Sequence, residues 1–302
     1  MGTLKGKNFR ILVYNSENEY QVIGMSTNCT VTYTNNTENA NHKDIVGVAQ
    51  LPTVVGQACS ISVESLDVTD AAAMLTAIKN MTKFTLLWDE TSTTDNQTAL
   101  GATFARMGDF YLNDCTFQFD NRTNSTKQLQ FTSTGVIDTV ADTPIVGTIA
   151  AGSFTKGQFV RLFLSSDNTN AATKVIAAAK TLSLHCSLTL EEATSKDTPG
   201  NYTVQEPTEL AWDISTSALI RGGDTITSAV AAQGLSELET IKEAGTPVKF
   251  KIANVSGNNN RTAGTVIVSG SVIISQLTIN GPLGAADYTA QLQGYGNYTV
   301  GS

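Results

Sequence analysis

His42 and His185 are the chain's two histidines, and any proton shuttling near neutral pH would fall to one of them. A Ser-His-Asp arrangement needs a histidine held beside a nucleophile. His42 falls in a long polar stretch and His185 inside a strand-like alternation, so solvated or satisfied side chains are the expected reading. Asp89-Glu90 and Glu191-Glu192 are paired carboxylates, but neighbours on a strand point to opposite faces and make no acid/base couple. Gly222-Gly223 and Gly294-Tyr295-Gly296 give neither a phosphate-cradling P-loop nor a dinucleotide fingerprint, and read as turn glycines. The EF-hand pattern is missing too. Cys29, Cys59, Cys115 and Cys186 show no metal-ligand spacing. Aligned on their cysteines, Cys29 matches Cys186, while Cys59 is matched by Trp212. Buried, reduced thiols are expected, with no metal and no cofactor. The chain reads as structural, not enzymatic.

Two stretches organise the rest. Residues 108–135 and 270–296 each alternate apolar residues on one parity (Phe110, Leu112; Val272, Ile274) and then on the other (Cys115, Phe117, Phe119; Leu277, Ile279). Side chains alternate with period two, so each switch predicts one extra residue, a β-bulge near Asn113–Asp114 and near Ser275–Gln276. A second alternating strand then runs to a glycine. The same frame-shift twice points to a duplicated unit.

The flanking order agrees. Each copy opens with Lys-Gly (Lys5-Gly6; Lys156-Gly157) and a short apolar strand, FRILVY or FVRLFL. A longer alternating strand follows, carrying Cys29, Val31 and Tyr33 or Leu184, Cys186 and Leu188. Next come a long loop with Lys43-Asp44 or Lys196-Asp197, and a strand with Cys59, Ile61, Val63 or Trp212, Ile214, Thr216. One helix per copy is predicted. Ala71, Met74, Leu75 and Ile78 line the first, after Thr69/Asp70 as caps; Leu235, Leu238 and Ile241 line the second, with Ser236 and Glu239 at capping-box spacing. The expected division is residues 1–140, a linker at 141–155, and residues 156–302.

At 302 residues the chain can bury two cores of ordinary size. Net charge is −8: residues 1–150 hold 9 Lys/Arg against 15 Asp/Glu (−6), and 151–302 hold 10 against 12 (−2). No basic cluster offers phosphate neutralisation, so specific nucleic-acid binding is not expected. No apolar run spans a bilayer, so membrane insertion is not expected, and MGTLKGKNFR lacks the apolar core of a signal peptide.

The element order, the long loops with Lys43-Asp44 and Lys196-Asp197, the Trp212-Asp213-Ile214-Ser215 strand and the Gly-bounded closing strand pair resemble the major tail tube proteins of tailed bacteriophages. The first copy departs in having Cys59-Ser60-Ile61-Ser62 where that family often places an aromatic. The resemblance implies a mainly β (α+β) chain of two tandem tail-tube-like β-sandwich or barrel domains, each with one flanking helix. It implies a virion protein, assembled in the bacterial cytoplasm, whose rings stack into a tube around a lumen for DNA. Two domains per chain imply a homotrimeric, pseudo-hexameric ring, and the implied partners are tape-measure, tail-tip and tail-terminator proteins. Inner-barrel strands are expected near 24–33, 57–63, 108–119, 127–134, 181–190, 211–217, 270–280 and 287–294. The candidate residues of these inner-barrel strands are Cys29, Val31, Ile61, Leu112, Phe117, Leu129, Leu188, Ile214, Ile274, Ile279 and Leu292. The loops 34–56 and 191–210 are the expected inter-subunit or inter-ring contacts, through Lys43, Asp44, Lys196 and Asp197. Rival readings are the tube of a contractile injection system, a head decoration or adhesin β-module, and a secreted carbohydrate-binding module.

Overall fold

Alternating, β-branched sequence yields long antiparallel strands, and among the described residues two short α-helices and one 3-10 turn accompany them. The structure, a computed structural model, describes residues 6, 9–14, 20–23, 26–39, 50–66, 68–90, 106–139, 155–198, 200–220, 232–257 and 262–301. In the first half these form β1 (Phe9–Tyr14), β2 (Tyr20–Val22), β3 (Ser26–Asn39), β4 (Pro52–Ser65), α1 (Ala71–Lys79), β5 (Lys83–Glu90), β6 (Arg106–Gln118) and β7 (Thr126–Thr139). The second half forms β8 (Val160–Leu164), β9 (Lys174–Ile176), β10 (Ala179–Glu192), β11 (Gln205–Leu219), β12 (Ala232–Gln233), α2 (Leu235–Ala244), β13 (Val248–Asn254), β14 (Val266–Asn280), β15 (Asp287–Gly294) and β16 (Thr299–Val300). The chain is mainly β.

Eight of the strands make one antiparallel wall in the order β3-β4-β7-β6-β10-β11-β15-β14. The second four repeat the order of the first four. The opening part of β6 carries β5, β1 and β2 off the wall, and the opening part of β14 carries β13, β8, β9 and β12. The strand positions expected from sequence are present, but β3 and β4 run further than expected. The loop read at 34–56 therefore shrinks to the segment between Asn39 and Pro52, and that at 191–210 to the segment between Glu192 and Gln205. Polar alternation such as Thr-Asn-Asn-Thr-Glu-Asn extends a strand without leaving an apolar signal.

Both parity switches are bulges. The β6–β7 register slips between Leu112 and Asp114, and the β14–β15 register slips between Ile274 and Gln276. The extra residue, Asn113 or Ser275, moves the apolar set back to the core face. Phe110, Leu112, Cys115, Phe117 and Phe119 are accordingly all buried. Gly294, expected as a turn glycine, instead ends β15, where a Cβ would lie 2.3 Å from the Trp212 ring. Gly296 is the turn residue (φ +72°), and its carbonyl accepts the Trp212 Nε1–H bond at 2.9 Å.

The helices cover the apolar face. Ala71, Leu75 and Ile78 of α1 are buried, as are Leu238 and Ile241 of α2. Asp70 does not cap α1 with its side chain; the carboxylate pairs with Lys127 Nζ at 2.6 Å, a lysine with 1% exposure. Nor do Ser236 and Glu239 form a capping box. The second helix starts earlier, at Leu235, so Glu237 stands at the third position and accepts the Gly234 N–H at 3.0 Å. Tyr298, just before β16, donates its hydroxyl to the Leu75 carbonyl at 2.7 Å, tying the first half's helix to the second half. One large apolar cluster draws buried residues from both halves, and a smaller one gathers around Phe163, Val175 and Val255 in the second half. Among the described residues no helix is long and apolar enough to cross a membrane.

Candidate assembly interface

β6 and β10 join the halves edge to edge. Cys115 stands opposite Cys186, Thr116 opposite His185, and Phe117 opposite Leu184. On the core side these two thiols, Phe117 and Leu184 are buried. Burial pushes the Cys186 thiol up to about 12 and the Cys115 thiol well above the usual range. The Cys59 thiol also rises to about 12 and the half-buried Cys29 thiol is raised, both chiefly by burial. All four cysteines are free, and as protonated thiols they pack as small apolar groups.

On the polar side the same ladder positions gather a cluster that the sequence did not announce. His185 Nδ1 lies 2.8 Å from Asp213 Oδ1, and its Nε2 lies 2.8 Å from Asp114 Oδ2. Burial opposes the charged ring, but hydrogen bonds to Asp114 and Asp213 outweigh it, and the pKa rises above 6.5. An imidazolium donating from both nitrogens has none left to serve as a base. The cluster is therefore a charged tie: Asp114 belongs to the first half, His185 and Asp213 to the second. Alternation could have placed each residue on the polar face, but only the β6–β10 register brings them together.

Two loops reinforce the joint. In residues 119–125, Phe119 N–H donates to the Leu182 carbonyl (2.8 Å) and Asn121 N–H to the Lys180 carbonyl (2.9 Å). Gly157 N–H donates to the Thr123 carbonyl at 3.0 Å, and a Cβ at Gly157 would come within 2.3 Å of the Asp120 carbonyl oxygen. The loop after β10 lies across β4 and β7: Thr203 N–H donates to the Gln57 carbonyl, and Gly135 N–H to the Thr203 carbonyl, both at 2.9 Å. Lys196 and Asp197 sit in an exposed turn of this loop, where Asp197 N–H donates to Ser195 Oγ at 3.2 Å. The loop touches the first half through Thr203 and its neighbours, not through that pair. Lys43 and Asp44 lie outside the described residues.

Of the expected wall markers, Ile61, Leu112, Phe117, Leu129, Leu188, Ile214, Ile274 and Leu292 are buried, while Cys29 and Val31 are half-buried. Ile279 departs from this, at 51% exposure. The reason is a free edge. Among the described strands β3 pairs only with β4, and beyond Ile274 β14 pairs only with β15.

The registers give each uncovered residue its counterpart at the covered joint. Leu112 and Ile274 precede the two bulges, so Asp114, Cys115, Thr116 and Phe117 correspond to Gln276, Leu277, Thr278 and Ile279. Ile61 opposes Val31 as Ile214 opposes Leu184, so Leu184, His185 and Cys186 correspond to Val31, Thr32 and Tyr33. This corrects the cysteine alignment: Tyr33, not Cys29, stands where Cys186 does. Among the described residues no group of three or more metal-ligating side chains converges.

No family model matches the sequence, and no curated protein matches it. Among solved structures the chain is similar to one from the virion of a native gene transfer agent particle (15% identity, TM-score 0.35, 48% of this chain, 98% of that one). A chain from the tail of an empty gene transfer agent particle with C6 symmetry is 16% identical, with TM-score 0.36 over 47% of this chain and 93% of that one. The SPP1 tail tube is 19% identical, with TM-score 0.36 over 48% and 78%.

Proposed function

We propose that this chain is a structural subunit of a phage-type tail tube, built of two copies of one domain, and that it polymerises through its two free wall edges. One observation carries the reading: the β6–β10 joint has an unmade twin. Repeating its register between molecules sets Val31 of one chain opposite Ile279 of the next and Tyr33 opposite Leu277, with Thr32 opposite Thr278. Tyr33 (57% exposed) and Ile279 (51%) are large apolar side chains on otherwise polar edges. Such edges invite pairing, and a head-to-tail contact closes into a ring when the rotation permits. Three chains then supply six domains.

The polar face of the wall becomes the lumen lining. The wall segments 28–34, 58–64, 114–118, 128–132, 183–187, 211–217, 276–280 and 289–293 contain no lysine or arginine. They present Ser, Thr, Asn and Gln with Glu64, Asp114 and Asp213, and their one basic side chain, His185, is held between Asp114 and Asp213. A passing polyanion finds no phosphate partner there, and so no counterion release to hold it. Tape-measure, tip and terminator proteins are the partners such a tube requires.

Placing cysteines at the twin positions tests the joint. With Tyr33→Cys and Leu277→Cys together, oxidation should link separate chains into a ladder on a non-reducing gel, while Leu277→Cys alone should not. Negative-stain micrographs should show hollow rings or tubes. Monomers without interchain links at high concentration would overturn the reading and favour a decoration or adhesin module.

A further inference from the structure

A groove bordered by the start of β1 and the start of β3 holds about 660 Å³ of open space, lined by Gly6, Phe9, Arg10, Thr27 and Cys29 among others. The registers identify it with a place that is filled elsewhere in the same chain. Ile11 opposes Trp88 in β5 as Leu162 opposes Ile252 in β13, which sets Gly6, Phe9 and Arg10 against Gly157, Val160 and Arg161. The β3–β4 bulge between Ser26 and Asn28 matches the β10–β11 bulge between Ala179 and Thr181, which sets Thr27 and Cys29 against Lys180 and Leu182. Gly157, Val160, Arg161, Lys180 and Leu182 line the second site, where only about 30 Å³ stays open beside Phe119 and Asn121.

We propose that the empty groove receives the β14–β15 hairpin tip, residues 281–286, of a second copy of this chain; the proposal rests on the tube reading above. The tip reads Gly-Pro-Leu-Gly-Ala-Ala and leaves Leu283 fully exposed. By the shared register, Gly281 N–H donates to the Cys29 carbonyl and Leu283 N–H to the Thr27 carbonyl, as Phe119 and Asn121 do at the filled site. Alternation turns the intervening amide away from the strand, and there this tip carries Pro282, which has no N–H to give.

The groove also accounts for the recurrence of glycine after lysine. At Gly157 the docked tip leaves no room for a Cβ, whereas at Gly6 a Cβ meets nothing within 4 Å among the described residues. A tip lying against Gly6 would give it the same steric reason to be glycine that Gly157 has.

Cys29 supplies the readout. It lines the groove and is the one cysteine of the four that is not fully buried. Maleimide labelling of dilute monomer and of assembled wild-type protein should differ at least tenfold in Cys29 rate, assembly being protective. Leu283→Asp, an exposed change that leaves the monomer folded by circular dichroism, should raise the concentration needed for assembly about tenfold. Assembled wild-type protein whose Cys29 still reacts at the monomer rate, or Leu283→Asp assembling like wild type, overturns the docking and leaves the tube reading standing. Wild-type protein that never assembles overturns both.

Discussion

The tie of His185 to Asp114 and Asp213 is a residue-scale device with a definite pH sign. Its folded pKa lies above 6.5, so the stability it adds is fully present below the unfolded value and is lost as pH rises through the folded one. Melting temperatures of wild type and His185→Gln, compared from pH 5 to 9, should differ most at the acid end and converge at the alkaline end. A constant gap across that range would show that the ring packs without carrying charge. At the proposed twin joint the same three positions hold Thr32, Gln276 and Ser60, so the tie belongs to the joint inside the chain.

At the scale of elements, equivalent positions on β6 and β14 differ in what covers them. Phe117→Ala should cost the isolated chain about 3–5 kcal/mol, because it opens a cavity in a packed core. Ile279→Ala, on the uncovered end of β14, should leave the monomer within about 0.5 kcal/mol and weaken assembly instead. Denaturant unfolding of the monomer and sedimentation of the assembled form separate the two effects, and an Ile279→Ala monomer as destabilised as Phe117→Ala would refute the free-edge account. The bulges behind this comparison were legible in sequence, because a parity switch such as Leu112 to Cys115 has no other cheap cause. The partner of β6 was not, since pairing with β10 is decided by how the halves dock. Nor could alternation fix the alignment of β3 with β10. Placing Cys29 or Tyr33 against Cys186 differs by an even shift, and a period of two is blind to even shifts. The start of α2 was misread because Ser236 imitates a cap, while Glu237 reaches back to Gly234 from inside the helix.

For the whole molecule, the proposed contact is directional: β14 of one chain meets β3 of the next. A Val31→Lys chain keeps a sound β14 edge but cannot accept a neighbour, so it should cap growing assemblies. Added as a minority species, it should reduce closed rings by more than its share, as counted in micrographs. A loss merely proportional to its fraction would mean that the two edges do not meet in one contact. The mainly β wall was readable from composition and alternation. Its continuity through both halves was not, because that rests on the β6–β10 ladder and on Tyr298 reaching the first half's helix.

The β6–β10 joint lies within a single chain, and that changes the mass action of assembly. In the proposed three-chain ring, half of the joints would be made while each chain folds, at the millimolar-scale effective concentration that a short tether confers. Only the other half would have to be found by diffusion, so the rate of ring initiation should depend on a lower power of protein concentration than it would for six separate domains. A tube so built can begin at a lower protein concentration, and each initiation event immobilises fewer independent bodies.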